Sequence, residues 1–313
     1  MKSHSVPPPS GFPADEEHSF ATATDGTRLF VRTRPRRADG APSGDVRGLP
    51  TAFFCDGILC DGFIWKYLYE EVGKLLPLTH WHYRGHGRSG APEDPDLIDI
   101  AAHAADLRIV RQHVSDPPCV ILGHSMGTQV ALEELHLYPD KVRGLVLICG
   151  SFGKVTQSFR GMPLLDLILP KLMDIVEKQP DIVRALWSRI PPEVALKLAL
   201  RARDVDPDKV HADDMLPYLK HMTHVDFPMF LKMLRAAGNH TAEDYLAKID
   251  IPVLIIAGEK DTFTPPALSE YMAETIPKAE LLMVKGGSHV APIEQPEVVR
   301  ERVTAFIRER ILA

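Results

Sequence analysis

Short apolar runs alternate with amphipathic stretches over the first half of the chain. Residues 51–55, 76–82 and 119–122 are apolar runs bounded by Gly, Pro or charged positions, which is the pattern of buried strands. Residues 97–114 and 128–137 repeat apolar side chains at helical spacing instead. Strands that alternate with helices in this way predict an α/β fold with a mostly parallel central sheet flanked by helices.

A hairpin is predicted at the start of this sheet. Residues 19–24 and 28–33 have the pattern of two short strands, and Asp25-Gly26 between them is a signal for a tight turn. Further along the chain, residues 63–75 place their apolar side chains on one face and predict a helix.

The pattern changes in the segment 151–240. No convincing strand occurs there, and prolines break the segment into short helices rich in Leu and Met. The alternation of strands and helices then resumes with an apolar run at residues 253–257. We therefore expect residues 19–150 and 241–313 to form one core. The segment between them is expected to be an inserted helical cap, or lid, over the carboxyl edge of the sheet, where ligands bind in such folds.

Composition narrows the class of protein. The chain has 313 residues, of which 45% are hydrophobic and 25% charged, values that are ordinary for a globular protein. The formal net charge of −6 offers neither a basic surface for nucleic acid nor a polybasic patch for a membrane surface. No apolar run is long enough to span a bilayer. We expect no nucleic-acid partner and no stable membrane anchor.

The N-terminus and the cysteines indicate the compartment. Residues 1–18 are rich in proline and acidic side chains and lack the apolar segment of a signal peptide, so they predict a disordered lead-in. The four cysteines, Cys55, Cys60, Cys119 and Cys149, mostly lie in or beside apolar runs and are expected to be buried free thiols. Both features predict a cytoplasmic protein.

The pattern G-x-S-x-G around Ser125 lies where a predicted strand passes into a predicted helix. This is the arrangement of a nucleophile elbow, a sharp turn that exposes a serine hydroxyl above the edge of a sheet. Larger side chains two residues to either side would collide, so glycine is needed at positions 123 and 127. The free amides at the start of the helix can face a developing oxyanion. Ser125 is therefore the candidate nucleophile.

A serine nucleophile needs a base, and the base needs an acid that orients it. Each should follow a strand in the second half of the chain, so that it meets Ser125 at the same edge of the sheet. Two loops that follow predicted strands qualify, and they supply Asp261 and His289. The order Ser, Asp, His along the chain agrees with this type of elbow. Glu259, in the same loop as Asp261, is the alternative acid.

Four motifs stand in the same order as in one known superfamily: Asp56-Gly57, the turn Arg84-Gly85-His86-Gly87-Arg88-Ser89, the Ser125 elbow, and the loops of Asp261 and His289. On these motifs the chain resembles the α/β-hydrolase superfamily, in the capped branch of serine carboxylesterases and haloperoxidase-like enzymes. The resemblance covers the chain from about residue 19 to its C-terminus. It implies that Ser125 is the nucleophile and that His289 is the general base and then the acid. It also implies that Asp261, in the family pattern G-x-x-D, fixes the tautomer of the histidine.

The same resemblance implies an oxyanion hole made of two backbone amides. These are the amides of Met126 and Ile58, with Leu59 as the alternative to Ile58. Relatives usually carry His-Gly where this chain has Asp56-Gly57. We expect Asp56 to be a buried, hydrogen-bonded structural residue.

These residues predict acyl transfer, in which Ser125 attacks a carbonyl and water activated by His289 later releases the acid. The expected function is hydrolysis of small-molecule carboxylic esters, and the apolar side chains of the cap favour a substrate with an apolar acyl or alcohol moiety. No cofactor is expected. The alternation of His80, His82 and His86 suggests zinc, but no Cys or carboxylate stands beside them in the sequence, so we expect no metal site.

Two other functions remain open at this point. One is cleavage of a carbon–carbon bond or a lactone by the same three residues, with Arg184, Trp187 and Arg189 of the cap binding a substrate carboxylate. The other is a ligand receptor built on a hydrolase fold. An intact triad argues against the receptor, and turnover of a panel of substrates distinguishes all three.

Overall fold

The strands pair into one sheet of eight, and two further short strands form a separate ribbon. The computed structural model describes residues 15–38, 41–42, 48–158, 164–191, 193–194, 206 and 208–313. Its strands are β1 (Glu17–Thr22), β2 (Arg28–Arg34), β3 (Arg37–Ala38), β4 (Ala41–Pro42), β5 (Thr51–Cys55), β6 (Leu78–Trp81), β7 (Cys119–His124), β8 (Val142–Ile148), β9 (Val253–Gly258) and β10 (Ala279–Val284).

The order of strands in the sheet is β1-β2-β6-β5-β7-β8-β9-β10. β1 and β2 form the predicted antiparallel hairpin, β2 is antiparallel to β6, and the remaining pairings are parallel. The predicted mostly parallel α/β sheet is confirmed. Cys55 pairs with Gly123, and Gly258 pairs with Val284. Strands that end together in this way bring the loops after them to one edge of the sheet.

The central strands are buried on both faces. In β5, Phe53 packs in the hydrophobic core on one face and Phe54 in the core on the other, and in β7 Ile121 and Leu122 do the same. Side chains alternate along a strand, so a strand covered on both sides is a continuous apolar run in the sequence. This explains why the central strands are visible as runs rather than as alternating patterns.

Helices cover both faces of the sheet and fill the connection between β8 and β9. In the described part of the chain the α-helices are α1 (Tyr69–Gly73), α2 (Ile100–His113), α3 (Met126–Leu137), α4 (Val155–Ser158), α5 (Leu164–Lys178), α6 (Pro180–Trp187), α7 (Ala212–Met222), α8 (Phe227–Asn239), α9 (Glu243–Leu246), α10 (Pro266–Thr275), α11 (Ala291–Glu294) and α12 (Pro296–Phe306). A π-helical turn, Ile307–Ile311, continues α12. α2, α3 and α10 lie on one face, and α1 and α12 lie on the other.

The helices α4 to α8 follow one another between β8 and β9. α5 and α8 pack around a small core of their own that includes Leu169, Met173 and Leu231. α7 reaches the loops at the edge of the sheet, where Tyr218 stacks on Phe63 with ring centroids 4.4 Å apart. Residues 159–163, 192, 195–205 and 207 lie outside the described residues. The division of the chain into a core and a cap remains a prediction.

The first strand begins earlier than the sequence predicts. Glu17 and His18 belong to the expected disordered lead-in, yet they pair with Thr33 and Arg32 as part of β1. Pairing with β2 satisfies their backbone groups, which overrides the polar character of the segment. Residues 1–14 of the lead-in lie outside the described residues.

The helix predicted over residues 63–75 is divided in two. A 3-10 turn, Phe63–Trp65, comes first, and α1 follows after a short irregular stretch. The indole N–H of Trp65 donates to Asp56 over 2.6 Å, which fixes this side chain independently of α1. An apolar side chain on the inner face has the same spacing in both arrangements, so the periodicity does not distinguish them.

None of the helices in the described ranges is long and apolar enough to cross a membrane. The four cysteines are buried and free, as the sequence predicts.

Candidate active site

Ser125 occupies a sharp turn between β7 and α3. Its backbone has φ 54° and ψ −119°, a left-handed conformation that is strained for a residue with a side chain. A Cβ atom at Gly123 would lie 2.3 Å from the carbonyl oxygen of Gly127, and one at Gly127 would lie 2.1 Å from the carbonyl oxygen of Cys55. Close backbone contacts therefore require both glycines, as the G-x-S-x-G pattern predicts.

Three side chains from separate loops form a hydrogen-bonded chain at this turn. The Ser125 hydroxyl donates to Nε2 of His289 over 2.9 Å, and Nδ1–H of His289 donates to Oδ2 of Asp261 over 2.8 Å. Asp261 follows β9 and His289 follows β10, so both reach Ser125 across the edge where the parallel strands end. The structure brings the predicted nucleophile, base and acid together, and their catalytic roles remain a prediction.

The surroundings of Asp261 keep its carboxyl group ionised. Asp261 is 4% exposed, and its Oδ1 accepts the backbone amides of Phe263 and Thr264, both at 2.9 Å. Burial alone would raise its pKa, but the interactions with His289 and with Thr264 bring the pKa below its usual value. An ionised Asp261 keeps the hydrogen of His289 on Nδ1, so that Nε2 is free to accept a proton from Ser125.

Glu259, the alternative acid, has a different partner. Its exposed carboxylate accepts the backbone amide of Gly286 at 2.7 Å. Glu259 therefore ties the loop after β9 to the loop after β10, and the geometry favours Asp261 as the partner of His289.

The backbone around His289 is held on two sides. Nε2–H of His124, the residue before Ser125, donates to the carbonyl oxygen of His289 over 3.0 Å. Glu294 accepts both the amide and the hydroxyl of Ser288, each at 2.7 Å. Burial lowers the pKa of His124 to about 3, so its ring is a neutral donor. Sequence reasoning missed both contacts. His124 lies inside the elbow motif, but nothing in the pattern indicates its partner.

The loop after β5 passes close to Ser125. We call residues 56–61, which include the predicted oxyanion donor Ile58, the oxyanion loop. A Cβ atom at Gly57 would lie 3.1 Å from Cβ of Ser125 and 3.0 Å from Nδ1 of His124. Gly57 therefore lets the loop backbone approach Ser125 more closely than a residue with a side chain would.

Two backbone amides near this loop were predicted to bind the oxyanion. Among the described residues, the amides of Ile58 and Met126 make no hydrogen bond. The amide of Leu59, the alternative donor, donates to Nε2 of His86 over 3.2 Å. The amide of Ile58 is thus available where that of Leu59 is not, and the assignment of the oxyanion hole to Ile58 and Met126 remains a prediction.

Asp56 is a buried and hydrogen-bonded residue, as expected. It is 1% exposed, and its carboxyl group accepts the indole N–H of Trp65 at 2.6 Å and Nε2–H of His80 at 2.9 Å. Its backbone carbonyl accepts the hydroxyl of Tyr83 at 2.8 Å. Burial raises the pKa of Asp56 to about 7 and lowers the pKa of His80 well below its usual range. Asp56 therefore anchors the first residue of the oxyanion loop.

The histidines that suggest zinc have protein partners. His80 donates to Asp56, and Nδ1 of His82 accepts the backbone amide of Arg88 at 2.8 Å. His86 lies against the oxyanion loop. Within the described ranges, no group of three or more His, Cys, Asp or Glu side chains is arranged to hold a metal ion.

The three residues of the predicted cap that were considered as ligands for a substrate carboxylate have separate surroundings. Arg184 is exposed and forms an ion pair with Asp226 at 2.6 Å. The indole N–H of Trp187 donates to the carbonyl oxygen of Met222 over 3.1 Å, which makes it part of the packing between helices. Arg189 is exposed. These contacts do not bring the three side chains to Ser125.

A family model described as serine aminopeptidase, S33, matches residues 78–296, which is more than half of the chain. The chain belongs to this family of α/β hydrolases. The matched range includes Ser125, Asp261 and His289, whereas the oxyanion loop lies ahead of it. The resemblance inferred from the motifs is confirmed for this α/β hydrolase.

Curated relatives of this α/β hydrolase differ in length. Protein ABHD8 of Mus musculus is 26% identical over 264 residues, which are 82% of this chain and 54% of ABHD8. The chain therefore spans about half the length of that relative. The pimeloyl-[acyl-carrier protein] methyl ester esterase of Neisseria meningitidis serogroup B (strain H44/76) is 31% identical over 246 residues, 77% of this chain and 88% of the esterase.

Solved structures agree on the fold. The esterase EaEST from Exiguobacterium antarcticum matches with a TM-score of 0.71 at 19% identity, covering 93% of this chain and 99% of the esterase. At this identity the likeness concerns the fold alone. The α/β-hydrolase fold that the sequence predicts is confirmed.

Proposed function

We propose that this α/β hydrolase cleaves carboxylic esters through an acyl-enzyme on Ser125. The observation that carries the proposal is the continuous hydrogen-bonded chain from Ser125 through His289 to Asp261, with links of 2.9 and 2.8 Å, at a strained turn. An oriented base next to a serine hydroxyl is the arrangement that activates this weak nucleophile.

In the first half of the reaction, His289 takes the hydroxyl proton of Ser125 while Oγ bonds to the ester carbonyl carbon. The electron pair of the carbonyl moves to its oxygen, and the amides of Ile58 and Met126 donate to this oxyanion. The tetrahedral intermediate then loses the alcohol, which leaves with the proton that His289 had accepted. Ser125 remains acylated.

In the second half, a water molecule attacks the acyl carbon and gives its proton to His289. The new tetrahedral intermediate breaks its bond to Ser125 Oγ, which regains a proton from His289, and the carboxylic acid is released. Asp261 stays ionised throughout and stabilises the imidazolium that forms in each half. All of these steps use side chains and backbone amides of this chain.

The substrate class follows from the family and the cap. A relative that is 31% identical is named as a methyl ester esterase, which supports an ester as the substrate. Apolar side chains are abundant on the helices α4 to α8, which supports an apolar acyl or alcohol moiety over the site. The four free cysteines support a reducing compartment such as the cytoplasm.

Ester hydrolysis is favoured over the other functions by the contacts of the described residues that bear on them. A carbon–carbon hydrolase or lactonase that binds a substrate carboxylate needs a free cation at the site, and Arg184 is paired with Asp226 on the surface. A receptor needs no hydrogen bond from Ser125 to His289, yet this bond is present.

The test is steady-state hydrolysis of p-nitrophenyl esters from acetyl to long acyl chains. Wild type, Ser125→Ala and the control Ser188→Ala, which changes an exposed serine of the cap, are compared side by side. We expect turnover by wild type and Ser188→Ala only, and the best chain length measures the acyl pocket. Turnover by folded Ser125→Ala at the wild-type rate, or no ester turnover by folded wild type, would contradict the proposal.

A further inference from the structure

The amide of Leu59 is held by a histidine from a different loop. His86 lies in the turn after β6 and is fully buried. Its Nδ1 lies 2.8 Å from the carbonyl oxygen of Arg84, and its Nε2 lies 3.2 Å from the amide nitrogen of Leu59. Because a carbonyl oxygen only accepts, the ring hydrogen stands on Nδ1, and Nε2 offers its lone pair to the amide of Leu59.

The contact is made at a strained point of the oxyanion loop. Leu59 has φ 65°, a left-handed conformation that a leucine rarely adopts. The peptide group between Ile58 and Leu59 is contacted on both sides. Its N–H donates to His86, and its carbonyl oxygen lies 3.6 Å from Sγ of Cys60. A conformation of this kind persists only where its surroundings hold it.

The orientation of this peptide decides which amide is available to a substrate. With the N–H of Leu59 directed at His86, the neighbouring amide of Ile58 is left without a partner among the described residues. Gly57 keeps the same stretch of backbone against Ser125. If the Leu59 amide were released, the loop could relax out of its strained conformation and move the Ile58 amide.

We propose that His86 is a positioning residue of the oxyanion hole. By accepting the amide of Leu59, it keeps the oxyanion loop in the strained conformation that turns the amide of Ile58 toward the reacting carbonyl. His86 touches neither the substrate nor the nucleophile and acts only through the loop. The kinetic consequence of this inference rests on the proposed ester hydrolysis. The hydrogen bond from Leu59 to His86 does not depend on that proposal.

Burial keeps His86 in the form that this role needs. Burial lowers its pKa to about 4, so the ring is neutral under ordinary assay conditions and its Nε2 lone pair is available. The rings nearest to it are those of Tyr83 and His221, with centroids 6.0 and 6.2 Å away.

His82 provides a matched control in the same turn. It is also buried, and its Nδ1 also accepts a backbone amide, that of Arg88 at 2.8 Å. That amide belongs to the turn itself and not to the oxyanion loop. A substitution at His82 therefore removes the same kind of hydrogen bond from the same part of the fold without releasing Leu59.

The kinetic test compares His86→Leu, His86→Gln and His82→Leu. Loss of one oxyanion donor lowers kcat about 10²-fold or more, and a misplaced donor is expected to act similarly. We expect His86→Leu to lower kcat about 10²-fold with KM nearly unchanged, and to weaken binding of a trifluoromethyl ketone in proportion to the loss in kcat/KM. His86→Gln, whose side-chain oxygen can accept the amide, should restore part of the loss, and His82→Leu should keep kcat near wild type. Equal kcat in His86→Leu and His82→Leu, or an effect on KM alone, would overturn the proposal.

Hydrogen–deuterium exchange separates this inference from the proposed function. Exchange in peptides covering residues 56–61 is measured for wild type, His86→Gln, His86→Leu and His82→Leu without any substrate. Faster exchange at the oxyanion loop in His86→Leu than in His82→Leu supports the inference even if wild type hydrolyses no ester, which would defeat the proposed function alone. If His86→Leu fails to fold, the comparison of His86→Gln with wild type decides, because Gln is expected to retain most of the protection. Equal exchange in His86→Leu and His82→Leu, or loss of all protection in folded His86→Gln, would overturn it.

Discussion

Ser125 lies between two contacts of an aspartate with a histidine, and the pKa values of the two aspartates are shifted in opposite directions. On one side, which we call the acid–base side, Asp261 accepts from His289 and from two backbone amides, and its pKa lies below the usual value. On the other side, the oxyanion side, Asp56 accepts from His80 and the Trp65 indole, and burial raises its pKa to about 7.

The difference follows the task of each side. Burial disfavours a charge unless hydrogen bonds and an opposite charge compensate for it. Asp261 has these compensating contacts, and the proposed reaction needs an ionised acid there because it places a positive charge on His289. In the proposed reaction the oxyanion side directs N–H groups at a developing negative charge, and the raised pKa of Asp56 weakens the negative charge beside it.

The largest expected effect comes from neutralising the acid–base side. Asp261→Asn should lower kcat about 10⁴-fold, because an amide favours the wrong tautomer of His289 and does not stabilise the imidazolium. The control is Glu259→Gln, which neutralises a carboxylate of the same loop that bonds to Gly286 instead. Steady-state kinetics on one ester should show near wild-type kcat for the control. Similar losses in both variants would mean that the charge of the loop, and not the contact with His289, matters.

A smaller effect is expected from crowding the oxyanion side. Gly57→Ala would place a methyl group 3.1 Å from Cβ of Ser125 and 3.0 Å from Nδ1 of His124, so the loop must shift. We expect kcat to fall about 10²-fold while the protein stays folded. Gly90→Ala is the control, because its nearest neighbour, the amide nitrogen of Arg28, would be 3.6 Å away. Wild-type kcat in Gly57→Ala would show that the loop tolerates movement and would contradict the role given to the oxyanion side.

His124 joins the two sides, and its removal should have an intermediate to small effect. His124→Leu deletes the N–H that donates to the carbonyl oxygen of His289. One such hydrogen bond corresponds to about a tenfold loss in kcat. His124→Gln keeps a side-chain N–H donor and should recover part of this loss at unchanged KM. If Gln is no better than Leu in a folded protein, the hydrogen bond is not what positions His289.

The last prediction concerns stability and not turnover, and its effect appears only in acid. His103 packs on Tyr83, which donates to Asp56, and burial lowers the pKa of His103 to about 3. In the unfolded chain the pKa of a histidine is about 6.5. Below that pH the unfolded chain binds a proton at His103 that the folded protein does not, so the free energy of unfolding falls by about 1.4 kcal/mol per pH unit as the pH falls. His103→Phe should therefore match wild type at pH 8 and be about 2 kcal/mol more stable relative to it at pH 5. Urea unfolding at both pH values checks this, and an equal difference at the two would contradict the neutral state of His103.

The acid–base side was predictable from the sequence for a geometric reason. Ser125, Asp261 and His289 each follow an apolar run, and the carboxyl ends of parallel strands meet at one edge. Recognising strands was therefore enough to bring residues together that are 28 to 164 positions apart. The glycines at positions 123 and 127 added a steric requirement that a pattern can express.

The oxyanion side was only partly predictable, because its contacts run between loops. The partnership of His86 with Leu59, or of His80 with Asp56, depends on how two irregular segments cross, and no periodicity encodes that crossing. The sequence pattern of His80, His82 and His86 raises the possibility of zinc and argues against it, but it does not indicate which groups these side chains contact. The break in the predicted helix after Trp65 also involves a contact between loops, because the indole of Trp65 donates to Asp56.

The central claim is that Ser125 is the activated nucleophile that becomes acylated, and covalent labelling of that serine tests it most directly. Wild type, Ser125→Ala and Ser188→Ala are treated with a fluorophosphonate, which reacts with activated serines, and their masses and modified peptides are determined by mass spectrometry. We predict one adduct per chain in wild type and Ser188→Ala, located at Ser125, and none in Ser125→Ala. An adduct at another residue, or equal labelling of folded Ser125→Ala, would contradict the account.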